Sequence, residues 1–278
     1  MTWRKLKDRV IKMASVAAAL VGLAALGWIL WTVIVRGSSA FNWAFFTRPP
    51  SPPGQPGGGL ANAIVGTFLM TGLATLIGVP VGILAGVYLA EFGKRGWLAN
   101  QVRLLCNVLM GVPSIIIGVF VYTLIVVPSG HFSGYAGAAA LAVIMIPLVA
   151  RTTEDMLNLV PNTLRESALA LGAPRWRVTL GVVFRAAKSG LATGVLLGVA
   201  RVSGETAPLL FTALNSQFWM KGLSGPTANL TVTVFNYAMS PFEDWQRMAW
   251  GASLLITVSV LVLTVLARHV FGERTRWS

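Results

Sequence analysis

Residues 62–90 read NAIVGTFLMTGLATLIGVPVGILAGVYLA, a long run without a single charged side chain. About 20 apolar residues are enough for a helix to cross the roughly 30 Å of hydrocarbon in a bilayer. Backbone polar groups in lipid must be satisfied within the segment, so this run is predicted to be a transmembrane helix. Five more blocks share the pattern, giving six predicted spans at Met13–Val35, Asn62–Ala90, Val102–Val127, Ala136–Ala150, Gly190–Ala213 and Met248–Ala267.

The composition of the whole chain agrees with a membrane protein. Of 278 residues, 55% are hydrophobic and 11% are charged, and the mean hydropathy is +0.71. Soluble domains carry roughly 25% charged residues. The fourth block is short for a span, and we expect Arg151–Met156 to extend it as helix into the headgroup layer. The predicted fold class is therefore an all-α polytopic membrane protein with about six transmembrane helices.

The positive charges lie mainly on one side of the predicted membrane. A net charge of +13 could suggest nucleic acid as a partner, but 17 of the Lys and Arg residues fall in segments on the side of the N-terminus. Four fall on the opposite side, and Arg201 lies within a span. Cytoplasmic loops carry such an excess of Lys and Arg. The sequence thus predicts that the chain lies in a lipid bilayer with both termini in the cytoplasm. It predicts no nucleic-acid partner.

A short helix is predicted in the cytoplasmic loop at residues 163–172. Thr163 and Glu166 have the spacing of a capping box, in which each side chain binds the backbone N–H of the other residue. Gly172 tolerates the positive φ of a helix end, and Pro174 prevents continuation. A helix of about two turns is not stable alone in water, so it must dock on another surface. An ordinary capped loop helix is the simpler alternative.

The fifth block carries charge in its middle. Arg201 and Glu205 are one turn apart on a continuous helix, and Arg at a helix centre costs about 2.5–3.5 kcal/mol on insertion scales. Pro208 cannot donate to the carbonyl of Gly204, so a kink is predicted there. The planar guanidinium matches phosphate-type oxygens, with two hydroxyls near it, and an anion pathway is predicted. A buried ion pair joining two subunits is the alternative. The predicted pathway residues are Arg201, Ser203, Glu205 and Thr206.

Two glycine repeats are predicted to be packing stripes. Gly78, Gly82 and Gly86 repeat every four residues, and so do three glycines of the fifth block. Small residues at this spacing let a second helix approach closely. The second repeat consists of Gly190, Gly194 and Gly198.

Three motifs resemble a known family. Glu166–Gly172 (ESALALG) resembles the EAA loop of ABC importer permeases, although Arg185 stands where that motif often has proline. Ala200–Leu209 (ARVSGETAPL) and Gly111–Gly118 (GVPSIIIG) resemble signatures of high-affinity phosphate importer permeases, with the first typical of the A-type subunit. The resemblance covers roughly Asn62 to the C-terminus.

The resemblance implies a fold, a location and partners. It implies the MetI-like permease fold in the bacterial inner membrane, with Glu166, Ala168 and Gly172 contacting a cytoplasmic ATPase. It further implies a second, C-type permease subunit, two copies of the ATPase that use ATP and Mg²⁺, and a periplasmic phosphate-binding protein. Phosphate would then be the substrate of the assembled importer.

The predicted organisation has three parts. Residues 1–61 hold a cytoplasmic tail, the first span and a Pro/Gly-rich periplasmic loop; residues 62–268 hold the core permease; residues 269–278 form a cytoplasmic tail. The chain has no G-x-x-x-x-G-K-[ST] loop, so it is not expected to be an ATPase, to have catalytic or metal-binding residues or to bind a cofactor itself. A permease for another oxyanion, an ion-coupled secondary transporter and a regulatory scaffold remain alternatives.

Overall fold

A computed structural model describes residues 2–55, 57–93 and 96–271. Within these residues the regular structure is entirely helical. Helices α3, α5 and α8 each contain one wider turn of π-helix. The helices are α1 Thr2–Ser38, α2 Trp43–Thr47, α3 Ala61–Phe92, α4 Trp97–Gly111, α5 Ser114–Ser129, α6 Gly134–Asn158, α7 Asn162–Ala170, α8 Arg175–Val202, α9 Ala207–Thr212, α10 Leu230–Ala238 and α11 Glu243–Phe271.

In the part of the chain that the structure describes, five helices are long and apolar enough to cross a bilayer, namely α1, α3, α6, α8 and α11. The bent pair α4–α5 raises the number to six if it counts as one span. Helix α6 includes Arg151–Met156, as predicted for the short fourth block. Most of the predicted C-terminal tail, residues 272–278, lies outside the described residues.

The third predicted span is not a single helix. Its two halves meet at Val112 and Pro113 at an angle of 105°. Val112 is extended, with φ −71° and ψ 132°, because the ring of a following proline disfavours helical geometry at the preceding residue. The prediction of one continuous helix over Val102–Val127 is therefore wrong.

The fifth predicted span is also interrupted. Helix α8 ends at Val202, four residues of irregular chain follow, and α9 begins at Ala207. Gly204 N–H donates to Arg201 O at 3.2 Å, which tightens and closes the last turn. The predicted kink at Pro208 and Gly204 is wrong: Pro208 lies in the first turn of a new helix, where its missing N–H costs little.

Helix α6 lies at the centre of the bundle between the two glycine stripes. A Cβ atom at Gly82 would lie 2.7 Å from Val149 Cβ, and Gly78 and Gly86 likewise face α6. The second stripe packs on another side of α6, where Gly190 meets Met156. Both stripes thus bring a backbone against the same helix, as small residues allow in membrane bundles.

The segment after α9 returns into the bundle rather than forming only an external cover. The start of α10 is buried, with Leu230 5% and Val232 1% exposed. Leu230 N–H donates to Thr67 Oγ1 of α3 at 2.8 Å, although the two residues are 163 positions apart. This segment closes one side of the central core.

Helix α1 stands apart from this core. Its most apolar window has no buried residue, and its contact with the bundle is at its C-terminal end. There Gly37 lies directly against Trp250 and Leu254 of α11. The apolar side chains of α1 therefore face lipid or another subunit.

Candidate functional site

Arg201 and Glu205 lie at the break between α8 and α9. Arg201 is in the last turn of α8, and Glu205 belongs to the irregular chain that follows. Their side chains approach to 3.9 Å between Nε and Oε1. This distance is too long for a hydrogen bond, so the ion pair is loose. The Arg201 side chain is 49% exposed and the Glu205 side chain 15%.

The sequence predicted that the two residues lie on one face of a continuous helix, but they do not. The helix ends three residues before Glu205, so the approach of the two side chains depends on the conformation of the break. A site of this kind can change its geometry without bending a helix.

The break lies halfway along the central helix α6. Going up α8, Gly190 meets Met156, Gly194 meets Thr152 and Gly198 meets Val149. At the end of α8, Val202 packs in the same core cluster as Leu141 and Met145. Arg201 is therefore level with the middle of a 25-residue membrane helix. A charge at this depth is costly unless it serves a protein interior or a water-filled path.

The other predicted pathway residues lie in the same break. Ser203 Oγ donates to Ala200 O at 2.8 Å, which leaves its lone pairs available as acceptors. Thr206 is the residue before α9, and its side chain is half-buried. Gly204 is exposed at the turn. The structure thus places all of the predicted pathway residues in the last turn of α8 and the short loop that follows it.

The two signature stretches of the sequence meet in space. A Cβ atom at Gly118 of α5 would lie 2.6 Å from Pro208 Cα of α9. The bent pair α4–α5 therefore packs directly against the second half of the broken span. The two interrupted spans therefore pack against each other close to the Arg201–Glu205 pair.

Asn229 is a buried polar residue that the sequence analysis missed. It is 1% exposed, and its Oδ1 accepts the N–H of Val232 at 2.8 Å as the N-cap of α10. Within the described part of the chain, Nδ2 of Asn229 is the one buried side-chain polar atom without a hydrogen-bond partner. An unmet buried donor costs about 1–3 kcal/mol. The sequence signal was an Asn immediately before an apolar run, which is a common helix start.

Asn229 lines a small cavity at the junction of α3, α6, α10 and the break. The polar members of its lining are Thr67, Thr71, Ser203 and Thr231, and apolar core side chains complete it. Thr231 Oγ1 lies 2.8 Å from Glu205 O and 3.0 Å from Asn229 Oδ1. Two short contacts therefore connect the backbone at Glu205 with the amide of Asn229.

The loop helix predicted at residues 163–172 is observed as α7, from Asn162 to Ala170. The capping-box prediction is wrong, because the helix begins one residue earlier. Pro161, which has no polar side chain, is the N-cap residue, and Thr163 lies inside the first turn.

The end of α7 agrees with the prediction. Gly172 has φ +79°. Its N–H donates to Leu169 O at 2.9 Å, and the N–H of Ala173 donates to Ala168 O at 3.3 Å. This pair of bonds is a Schellman motif, which satisfies the last carbonyls of a helix.

Arg165 anchors α7 to the bundle, which the sequence analysis did not foresee. The side chain is 9% exposed and donates from Nη2 to Glu91 Oε1 at 2.7 Å. It also donates to the backbone oxygens of Leu157, at 2.6 Å, and Val160. One guanidinium therefore connects α7 with the end of α3 and the end of α6. Removing one partner of such a buried ion pair is strongly destabilising, because the other charge is left buried without a partner.

This anchoring orients the predicted coupling residues. Glu166 and Gly172 are exposed, whereas Ala168 is half-buried and packs against the core beneath the helix. Leu164, Leu169 and Leu171 are exposed beside them, at 44%, 43% and 89%. The outward side of α7 is thus fixed in position and presents Thr163, Glu166 and Ser167 together with these exposed leucines.

A second ion cluster lies at the same end of the bundle. Glu154 of α6 accepts from Arg103 Nε of α4 at 2.6 Å and from Arg151 Nη1 at 2.5 Å. Arg103 also donates to Leu89 O of α3 at 2.9 Å. These bonds connect α3, α4 and α6 behind the loop that holds α7.

Comparison with known proteins identifies the family. Residues 78–272 match the family described as binding-protein-dependent transport system inner membrane component. The chain belongs to this family. The predicted resemblance to ABC importer permeases and the predicted all-helical permease fold are confirmed, and the chain is a multi-pass inner-membrane permease subunit.

Named relatives cover almost the whole chain. The phosphate transport system permease protein PstA of Yersinia pestis is 50% identical over 272 residues, which are 98% of this chain and 92% of the relative. A probable phosphate transport system permease protein PstA from Methanocaldococcus jannaschii is 36% identical over 98% of this chain and 96% of the relative. The predicted resemblance to phosphate permeases of the A type is confirmed by these relatives.

Solved structures share the fold. A subunit of the inward-facing MetNI methionine ABC transporter superposes with a TM-score of 0.60, covering 77% of this chain and 94% of that one at 21% identity. A chain of the bacterial alginate ABC transporter complex superposes with a TM-score of 0.67, covering 96% of each chain at 15% identity. At these identities the similarity concerns the fold alone.

Proposed function

We propose that this chain forms half of the translocation pathway of an ATP-driven importer of inorganic phosphate. Relatives named as phosphate transport permeases, up to 50% identical over nearly the full chain, support phosphate as the substrate. The observation that carries the proposal within the structure is the loose Arg201–Glu205 pair in a helix break at mid-depth of the bundle.

Arg201 is the residue that contacts the anion. Its guanidinium stays charged when desolvated and offers two parallel N–H donors to phosphate oxygens. Because Glu205 is 3.9 Å away, it attracts the guanidinium without occupying its donors as a short bidentate pair would. The carboxylate keeps Arg201 oriented and limits how tightly the anion is held, so the anion can leave.

The test is uptake by the assembled importer. Replacing Arg201 by Gln removes the charge and keeps a polar amide, so phosphate uptake into proteoliposomes should be lost. Assembly of the complex and its basal ATP hydrolysis should remain near those of the unchanged complex. An assembled Arg201→Gln complex with normal phosphate uptake would show that this residue does not serve the anion.

Helix α7 is the coupling element toward the ATPase. Its exposed side, with Glu166 in the middle of the helix and Gly172 just beyond its end, offers polar and apolar contacts for a groove on a soluble partner. The bonds from Arg165 to Glu91 and to the end of α6 would transmit a displacement of α7 to two membrane helices. Ala168 fills the inner side of the helix, so its role is to pack α7 against the bundle.

The assembly follows from the family and from the incomplete surfaces of the chain. The proposed partners are a second permease subunit of the C type, two copies of the ATPase using ATP and Mg²⁺, and a periplasmic phosphate-binding protein. The family description itself names dependence on a binding protein. The unburied apolar face of α1 and the exposed face of α7 support partners in the membrane and in the cytoplasm, respectively.

The orientation places both termini in the cytoplasm. The 17 Lys and Arg residues on one side include those around α7, and four lie on the other side. A bias of this size sets the orientation of membrane helices. Six crossings, with α4–α5 counted as one, would also bring the two ends of the chain to the same side.

A further inference from the structure

Asn229 occupies a position that its role as a helix cap does not fully explain. The N–H of Val232 can only donate, so the side-chain oxygen of Asn229 must face it, at 2.8 Å. The orientation of the amide is thereby fixed, and Nδ2 must point the other way. Ser and Asp cap helices about as well as Asn does, without leaving a buried donor unmatched.

The residue that carries the unmatched donor lines a cavity together with other polar side chains. Nδ2 belongs to a residue that is 1% exposed and lines the cavity shared with Thr67, Thr71, Ser203 and Thr231. These hydroxyls come from α3, α10 and the break after Arg201. An otherwise apolar core cluster, which includes Met70, Leu141 and Val202, surrounds the cavity. A buried N–H that has no acceptor in the protein is available to an acceptor atom of a ligand.

We propose that Asn229 is a second anion-contacting residue, whose amide N–H donates to an oxygen of the tetrahedral oxyanion after its contact with Arg201. This inference rests on the proposed function as a phosphate permease. The contact chain from Asn229 Oδ1 through Thr231 Oγ1 to Glu205 O places the amide directly beside the Arg201–Glu205 turn.

The cavity is too small for the anion in the structure. Its volume is about 10 Å³, which suits a single water-sized atom and not a whole phosphate. The anion would therefore reach Asn229 only when α3, α10 and the break between α8 and α9 separate. A donor hidden in one state and available in another suits a permease that must release its substrate.

The test separates the cap from the donor. Asn229→Ser keeps an N-cap acceptor and removes the amide donor, and Asn229→Asp also places a negative charge at the cavity. The matched control is Asn42, whose Oδ1 caps α2 by accepting from Phe45 N at 2.8 Å at an exposed position. Asn42→Ser and Asn42→Asp repeat the same chemistry away from the cavity.

The measurement is labelled phosphate uptake per assembled complex, in proteoliposomes with saturating phosphate-binding protein. Loss of one hydrogen bond to a charged ligand predicts at least about a tenfold slower uptake for Asn229→Ser, and a larger loss for Asn229→Asp. Both Asn42 variants should transport normally. Basal ATP hydrolysis should be unchanged in both Asn42 complexes.

The possible results distinguish this inference from the proposed function. If Arg201→Gln abolishes uptake while assembled Asn229→Ser and Asn229→Asp complexes transport normally, Asn229 is only a cap and the inference fails alone. If the Asn229 variants lose assembled complex but not uptake per complex, the inference also fails. Normal uptake in Arg201→Gln as well would overturn the proposed function.

Discussion

At Arg201 two explanations for an intramembrane charge make opposite demands on Glu205. If the pair joins subunits, removing either partner strands a buried charge, and both losses should be equally disruptive. If Arg201 serves an anion, the carboxylate is the less important member. The 3.9 Å separation favours the second explanation, because a structural pair gains most from short contacts.

Substitutions of the same length distinguish these explanations. Arg201→Lys should transport phosphate clearly more slowly, because an ammonium does not reproduce the two parallel donors of the guanidinium. Glu205→Gln should reduce uptake less than Arg201→Gln, since the pathway keeps its cation. Uptake and the yield of assembled complex are measured together. Equal loss of assembled complex in Arg201→Gln and Glu205→Gln would favour the pair as a subunit joint.

Gly172 decides the direction in which the chain leaves α7. Its φ of +79° is strained for a β-branched residue, at a cost of about 1–2 kcal/mol, so Gly172→Val should misdirect the helix end. We expect weaker co-purification with the ATPase and slower ATP-driven uptake. Gly96→Val is the control, because Gly96 lies in open space with φ −76° and ψ 145°. Equal behaviour of the two variants would argue against docking through α7.

Among the helices, the contact of α3 with α6 depends on a smooth glycine stripe. Gly82→Ala would place a Cβ 2.7 Å from Val149 Cβ, and overpacking of this kind costs about 1–3 kcal/mol. Gly72 lies in the same helix with nothing within 4 Å of a Cβ at that position. Gly72→Ala should therefore leave the thermal stability of the purified complex unchanged or slightly raised.

A second substitution tests the cause of the predicted loss. Val149→Ala keeps Cβ but removes Cγ1, which would lie 2.9 Å from the new methyl, so it should relieve part of the overpacking in Gly82→Ala. Thermal unfolding of the purified complex in detergent measures all of these variants. Identical unfolding temperatures for Gly82→Ala and Gly72→Ala would show that this stripe does not govern the packing.

The interrupted helices differ from the continuous ones in how their ends are satisfied. Between α8 and α9 the carbonyl of Glu205 lies 2.8 Å from Thr231 Oγ1, and the N–H at the start of α10 donates to Thr67. Irregular backbone at membrane depth is tolerated only where protein or a water-filled cavity surrounds it. Helix α10 therefore supplies a partner for the break between α8 and α9, and α3 supplies one for the start of α10.

On the scale of the whole molecule, the orientation can be tested with single cysteines. Gln55 lies in the exposed Pro/Gly-rich loop, and Arg177 lies near α7 on the opposite side. In a Cys106→Ala background, Gln55→Cys should react with an impermeant thiol reagent in intact spheroplasts, and Arg177→Cys only after lysis. The reverse pattern would overturn the charge-based orientation and the cytoplasmic position of α7.

The sequence by itself determined the properties that depend on short segments. In lipid each long apolar run must satisfy its own backbone hydrogen bonds, so the apolar runs alone located the membrane-spanning segments. The positive φ of Gly172 and the two glycine stripes, which belong to α3 and α8 and pack against α6, were likewise predictable, because steric rules for glycine act locally.

Only the tertiary structure decided where the third and fifth spans are interrupted and which polar groups meet there. The break after α8 and the start of α10 have hydrogen-bond partners 26 and 163 positions away, and Arg165 pairs with Glu91, 74 positions away. No local pattern encodes such pairings, because they depend on which helices become neighbours. The buried amide of Asn229 is visible for the same reason only after α3, α10 and the break have packed together.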